Sequence, residues 1–139
     1  MKTFNIWRNS EPSLETNVDD RGRISDIFYD ENINHVAIIA SEQNSIRGNH
    51  YHKLTTQHVL VIKGELEYWF KPLEAEAAAE TLILKEGDIV TTPPFEVHAF
   101  RFLSSNEFIV FSQGLRGGKD YENDTFRIDP PLVSDTGKL

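Results

Sequence analysis

No cysteine occurs among the 139 residues. That absence excludes a disulfide framework, a thiol nucleophile, a thiolate metal site and a cysteine-held iron–sulfur cluster. Basic residues are scarce too, 14 Lys and Arg against 22 Asp and Glu, for a formal charge of −8. The summed field repels phosphate backbones and excludes a broad nucleic-acid surface, so any phosphate ligand needs a local arginine cluster. No stretch approaches the ~18 apolar residues that cross a bilayer. Met1 to Ser10 carries neither the basic segment nor the apolar run of a signal peptide. The expectation is a soluble, cytoplasmic protein. What is present is globular: 39% hydrophobic residues, with nine Phe and four Tyr, is too apolar for a disordered chain. The length suits one domain, large enough to bury roughly two-thirds of its unfolded surface.

Short apolar runs alternate with turn chemistry. The expected strands are Ile24–Tyr29, His35–Ala40, Gln57–Lys63, Glu65–Phe70, Thr81–Leu84, Asp88–Thr91, His98–Leu103 and Glu107–Ser112. They are rich in the β-branched and aromatic residues that fit a pleated surface. Asp20-Arg21-Gly22, Lys63-Gly64, Glu86-Gly87-Asp88, Pro93-Pro94 and Ser104-Ser105-Asn106 supply the turns. This pattern predicts an all-β closed barrel or jelly roll in a single domain. Glu74–Glu80 has helical composition but is too short to stand alone, and reads as a solvated hairpin excursion. Gly117-Gly118-Lys119 reads as a flexible joint. The domain is expected over residues 1–129, with 130–139 a poorly ordered tail.

Val36–Ile39, Val59–Ile62 and Phe108–Phe111 are apolar on both faces, whereas a barrel strand facing water needs only its inward face apolar. The outer faces must be covered. A homodimer is the expected cover, with a second layer within the chain as the alternative.

The densest chemical signal is Arg47-Gly48-Asn49-His50-Tyr51-His52-Lys53, followed by Gln57. Alternate strand residues share a face, so His50 and His52 project together. A second block runs from Gly87 through Pro93 to Glu96-Val97-His98. If the two hairpins face one another inside a barrel, His50, His52, Gln57 and His98 converge on a metal site or a polar catalytic pocket. His35 and His58, each alone in a strand, read as structural.

Gly48, His50, His52, Gln57, Gly64, Gly87, Pro93 and His98 resemble the two motifs of the cupin superfamily, whose fold is a jelly-roll β-barrel, the double-stranded β-helix. Where that pattern has Glu and Gly, this chain has Gln57 and Phe95. Asp19-Asp20-Arg21-Gly22-Arg23 and Arg47-Gly48-Asn49-His50 resemble elements of the nucleotide-sugar cupins, whose prototype is dTDP-4-dehydrorhamnose 3,5-epimerase. The tract Arg47, Gly48, His50, His52, Lys53, Gln57 and Leu60 is more similar still to dTDP-4-keto-6-deoxyhexose 3,4-ketoisomerases, and Asp120–Arg127 is loosely similar to that branch's ending. The strand Glu107–Phe111 lacks the tyrosine with which the epimerases protonate the far face of the sugar. A further relative, the cupin half of bifunctional capsular-sugar reductase/epimerases, carries two such histidines with a Glu in a metal site.

The resemblance implies His50 as catalytic base and His52 as its proton-relaying partner, with Arg21, Arg23, Arg47, Gln57 and Tyr121 binding substrate. The substrate it implies is a nucleotide-linked (dTDP or UDP) 4-keto-6-deoxy sugar, and the reaction shifts the keto group between C4 and C3. Histidine's unperturbed pKa of ~6.5 suits it to both directions of proton transfer. No cofactor is needed for this chemistry. The alternatives are a metal-dependent cupin holding Zn, Fe or Mn on His50, His52, Gln57 and His98, such as an epimerase, and a non-catalytic sugar-binding cupin.

Overall fold

The computed structural model describes residues 1–8, 16–115 and 120–135. Two antiparallel five-stranded sheets face each other. In the first, β1 (Lys2–Asn5), β9 (Asp88–Thr92), β6 (Thr56–Lys63), β11 (Asn106–Gln113) and β4 (His35–Ser41) lie side by side in that order. In the second the order is β12 (Phe126–Arg127), β5 (Ile46–Tyr51), β10 (Glu96–Phe102), β7 (Leu66–Pro72) and β8 (Glu80–Leu84). A separate hairpin pairs β2 (Thr16–Asp19) with β3 (Gly22–Ser25), and one helical turn, α1 (Asp120–Asn123), precedes β12. The expected jelly roll is what these sheets build. No helix among the described residues is long and apolar enough to cross a membrane.

Alternation decides the core. Val59 and Val61, Leu66, Tyr68 and Phe70, Phe100 and Phe102, and Phe108 and Val110 point between the sheets and are buried together. The segment 74–79 forms no helix; it joins β7 to β8 as an irregular connection. Strand β3 ends at Ser25, short of the expected Tyr29, because the next apolar residues are used differently. Ile27 and Phe28 pack with Phe4, Ile6, Leu60, Ile89 and Phe111 on the outer face of the first sheet. Half of the doubly apolar face is therefore covered by the chain's own second layer. The other half, toward the edge strand β4, keeps Val36, Ile38 and Ile62 exposed.

Strands β1, β2, β5 and β12 go beyond the expected set. Strand β12 is held by the C-terminal residues around it: Asn49 accepts hydrogen bonds from the amides of Leu132 and Val133, donates to the Val133 carbonyl, and receives Ile128 N–H on its own carbonyl. The Gly117–Lys119 joint and residues 136–139 of the tail lie outside the described residues.

Candidate active site

The tract Arg47-Gly48-Asn49-His50 owes its geometry to a bulge. On β10, His98 pairs with His50 and Ala99 with Gly48, so Asn49 is the extra residue. Gly48 and Asn49 both take positive φ, 91° and 57°. A Cβ on Gly48 would lie 2.9 Å from the His98 carbonyl oxygen, so the close strand approach requires glycine. The inserted residue restores the inward face early: Arg47, opposite Phe100, and His50, opposite His98, both turn toward the interior. Without the bulge, residues three apart on a strand would face opposite sides.

His50, His52 and His98 cluster there. Their ring centroids lie 4.9 Å (His50–His52), 4.8 Å (His50–His98) and 5.4 Å (His52–His98) apart. The convergence expected from the two motifs is present. A backbone hydrogen bond from Phe95 N to the His52 carbonyl, 2.7 Å, ties the two motif turns together. Phe95 itself has φ 65°, the left-handed conformation for which the cupin pattern carries glycine.

Hydrogen bonds to carbonyls assign two tautomers. His52 Nδ1 lies 2.6 Å from the Asp124 carbonyl oxygen and His98 Nδ1 lies 3.1 Å from that of Glu96. A carbonyl only accepts, so each ring carries a proton on Nδ1. Burial, the largest influence on His98, pushes its imidazole down to about 4, with His52 adding to the effect and the Glu96 carbonyl opposing it. His98 is neutral near pH 7.

Asp124 is a fixture that the sequence did not disclose. Its carboxylate, buried with the residue 2% exposed, accepts hydrogen bonds from the amides of Lys53 and Leu54 and from Thr55 Oγ1. Burial alone would raise its pKa. The bonds from Thr55, Lys53 and Leu54 and the nearby His52 outweigh burial and hold it below the usual carboxylate range. Side chain and carbonyl together fasten α1 to the His52 turn. With about 70 residues between the partners, no local pattern could have revealed this clamp.

A cavity of about 380 Å³ opens beside the cluster. His50, Gln57 and His98 line it, with Arg47, Tyr121 and Arg127 and an apolar wall that includes Ile39, Phe100 and Phe108. Gln57 is buried on β6 opposite Thr92. Tyr121, from α1, places its ring 6.3 Å from His50 and 6.1 Å from His52. Arg47 spans toward β4, donating from Nε to Ser41 Oγ (2.8 Å) and from Nη2 to the Ala40 carbonyl (3.2 Å). Arg21 and Arg23 lie elsewhere. Arg21 pairs with Asp19 at 2.7 Å on the β2–β3 hairpin, and Arg23 stacks 4.2 Å from the Trp7 ring centroid. Neither lines the cavity of its own chain. Arg127 was not among the expected site residues, since a two-residue strand offers no periodicity to read. His58 has the structural place expected of it, on the outer face between Thr91 and Phe28.

The donor set for a metal is three imidazoles with a neutral amide nearby. The ligand nitrogens lie within 4.8 Å of one another. A tetrahedral ion with Zn–N bonds of ~2.0–2.1 Å would bring them to about 3.4 Å. The cluster fits a borderline divalent ion in chemistry, and reaches its geometry only after the rings close in.

Against known structures, the chain superimposes on a dTDP-4-dehydrorhamnose 3,5-epimerase from Sulfolobus tokodaii with a TM-score of 0.70 at 17% identity, covering 87% of this chain and 77% of that one. A 3,4-ketoisomerase from Helicobacter canadensis gives 0.70 at 17% identity over 91% and 90%. The sugar 3,4-ketoisomerase QdtA from Thermoanaerobacterium thermosaccharolyticum, solved with TDP, gives 0.69 at 14% identity over 99% and 94%. At these identities the likeness is one of fold. No curated protein matches the chain. One family model does, over residues 17–126, and it is described as the polysaccharide biosynthesis C-terminal domain.

Proposed function

From the chain's membership of the polysaccharide biosynthesis C-terminal domain family, we propose that it is an isomerase of a nucleotide-linked (dTDP or UDP) 4-keto-6-deoxy sugar, moving the keto group between C4 and C3. The observation that carries this reading is His50 lining an arginine-bearing cavity with the buried His52 ring 4.9 Å from it, a proton held on His52 Nδ1 by the Asp124 carbonyl. The neighbours solved as 3,4-ketoisomerases have this fold.

The chemistry needs only protons. His50 takes the C3 proton while the C4 oxygen gains one, giving a 3,4-enediol. The C3 hydroxyl then loses its proton as C4 gains one, leaving the ketone at C3. Both carbon-bound protons move on one ring face, so adjacent imidazoles suffice, with His52 as the proton-relaying partner of His50. Gln57 and Tyr121 contact the sugar, and Arg47 takes phosphate oxygens, where a guanidinium is geometrically selective.

Incubation with dTDP- and UDP-linked 4-keto-6-deoxyglucose in deuterated water, followed by NMR, tests this. Deuterium entering C4 of a 3-keto product is expected, and His50→Asn should lower turnover at least ~100-fold with the fold intact. A folded, fully active His50→Asn variant would sink the assignment, and binding without turnover would favour the sugar-binding module.

A metal-dependent epimerase is the second reading, favoured by the three clustered imidazoles. His50, His52 and His98 would hold Zn²⁺, Fe²⁺ or Mn²⁺ with Gln57 beside them, and the bound ion would polarise the sugar carbonyl. Stoichiometric metal in the purified protein, with activity lost on chelation and restored on addition, would decide for it.

The functional unit in this proposal is a homodimer in the cytoplasm, where activated sugars are made. Val36 and Ile38 on edge strand β4, at 58% and 65% exposure, are the patch a second copy would cover. A second copy is also a source for Arg21 and Arg23 at the cavity. Sedimentation of a Val36→Lys, Ile38→Lys variant as a monomer, against a wild-type dimer, is the expected result.

A further inference from the structure

We propose that Arg127 is a diphosphate-binding residue of the cavity and that Glu122 holds it as an internal stand-in until a nucleotide displaces the carboxylate. The inference rests on the nucleotide-sugar reading above and adds to it a residue and a device.

The register of the shortest strand carries the argument. Strand β12 pairs Arg127 with His50 and Phe126 with Tyr51. Opposed residues in an antiparallel pair share a face. Phe126 is accounted for on the far side, its ring stacked on Tyr51 at 5.4 Å and capped by the Lys53 ammonium at 4.3 Å. Alternation then turns Arg127 to the side of His50, and Arg127 lines the same cavity as Arg47 and Tyr121.

The two cavity arginines are held differently. The hydrogen bonds of Arg47 go to a hydroxyl and a carbonyl, both neutral, so its position is set and, among the described residues, no carboxylate cancels its charge. Arg127 instead donates from Nη1 and Nη2 to the two oxygens of Glu122, at 3.1 and 3.2 Å. A planar guanidinium meeting two carboxylate oxygens has the geometry with which it would meet two phosphate oxygens. Both side chains are over 60% exposed, so the pair is weakly held and a dianionic ligand competes with it readily.

Calorimetric titration of the full chain with dTDP, UDP and thymidine tests the proposal, with thermal melts confirming that each variant is folded. Arg127→Ala should weaken dTDP binding by about 10- to 100-fold and leave thymidine binding unchanged. Arg127→Lys should lie between Arg127→Ala and wild type. Glu122→Gln should tighten dTDP binding several-fold, because the competitor is gone. The opposite signs are diagnostic, since a pair that only staples α1 to β12 would respond alike to either substitution, and for thymidine as much as for dTDP. Wild-type binding of dTDP with Arg127→Ala unaffected, or Glu122→Gln weakening it as Arg127→Ala does, would overturn the assignment. A wild-type protein that binds neither nucleoside diphosphate would overturn the nucleotide-sugar reading, and this inference with it.

Discussion

Two arginine-bearing segments of this molecule, Asp19–Arg23 and Arg47–His52, both carry a family motif, yet they meet opposite fates in the fold. The second is threaded between β10 and β12, bulged at Gly48–Asn49, and tied through His52 to Asp124 and Phe95. The first is a two-stranded hairpin outside both sheets, where Arg21 pairs with Asp19, two residues away. A motif predicts which chemistry is available. Whether the side chain reaches the site depends on contacts made by residues far off in sequence, and among the described residues those contacts bring Arg47 and not Arg21 or Arg23 to the cavity.

The contrast can be broken most forcefully at Gly48. Gly48→Ala adds a Cβ 2.9 Å from the His98 oxygen at a positive φ. Combined strain and overpacking should cost about 3–4 kcal/mol in chemical denaturation, with activity lost as Arg47 and His50 are misdirected. Acid should do nearly as much without a mutation. His98 has a folded pKa of about 4, below the ordinary 6.5, so between those values the unfolded chain binds a proton that the folded one refuses. Stability therefore falls as pH drops from 6.5 toward 4, by about 3 kcal/mol in all, and His98→Phe should flatten that part of a pH-dependent melting curve. Asp124, with its pKa held below the usual value, contributes above pH ~4 and loses its contribution as the solution becomes more acidic still.

Asp124→Asn keeps the shape of the clamp but removes its charge and turns one acceptor into a donor facing an amide or the Thr55 hydroxyl. A loss of about 2 kcal/mol is expected, with faster amide exchange at Lys53 and Leu54 as the readout. At the hairpin the effect should nearly vanish. Arg21→Ala removes a local, exposed ion pair and should leave the melting curve essentially unchanged. Any loss of nucleotide affinity in that variant, dependent on protein concentration, would trace to the second copy.

Much of the barrel was legible because period-two alternation is local. Val59, Val61, Phe108 and Val110 fall on the core face where their spacing puts them. The same rule failed where apolar residues serve another layer: Ile27 and Phe28 continue the apolar run of β3 but leave the strand to pad the outside of the first sheet. Strands β1 and β12 are held by pairing with distant strands rather than by composition, and neither Lys2–Asn5 nor Phe126–Arg127 alternates enough to be seen. For the site, the histidines were visible because two motifs pointed to one pocket. Asp124 and Arg127 were not, since each is placed by a partner more than 70 residues away.

The sequence by itself determined the all-β class and the absence of thiol chemistry, because composition and strand alternation need no knowledge of distant neighbours, and its two motifs singled out His50, His52 and His98. Only the tertiary structure decided which nitrogen of His52 carries the proton, which arginines stand at the cavity, and which half of the apolar outer face is left bare. Those depend on strand register and on a bulge, and a shift of one residue in either turns a side chain from the cavity to the solvent.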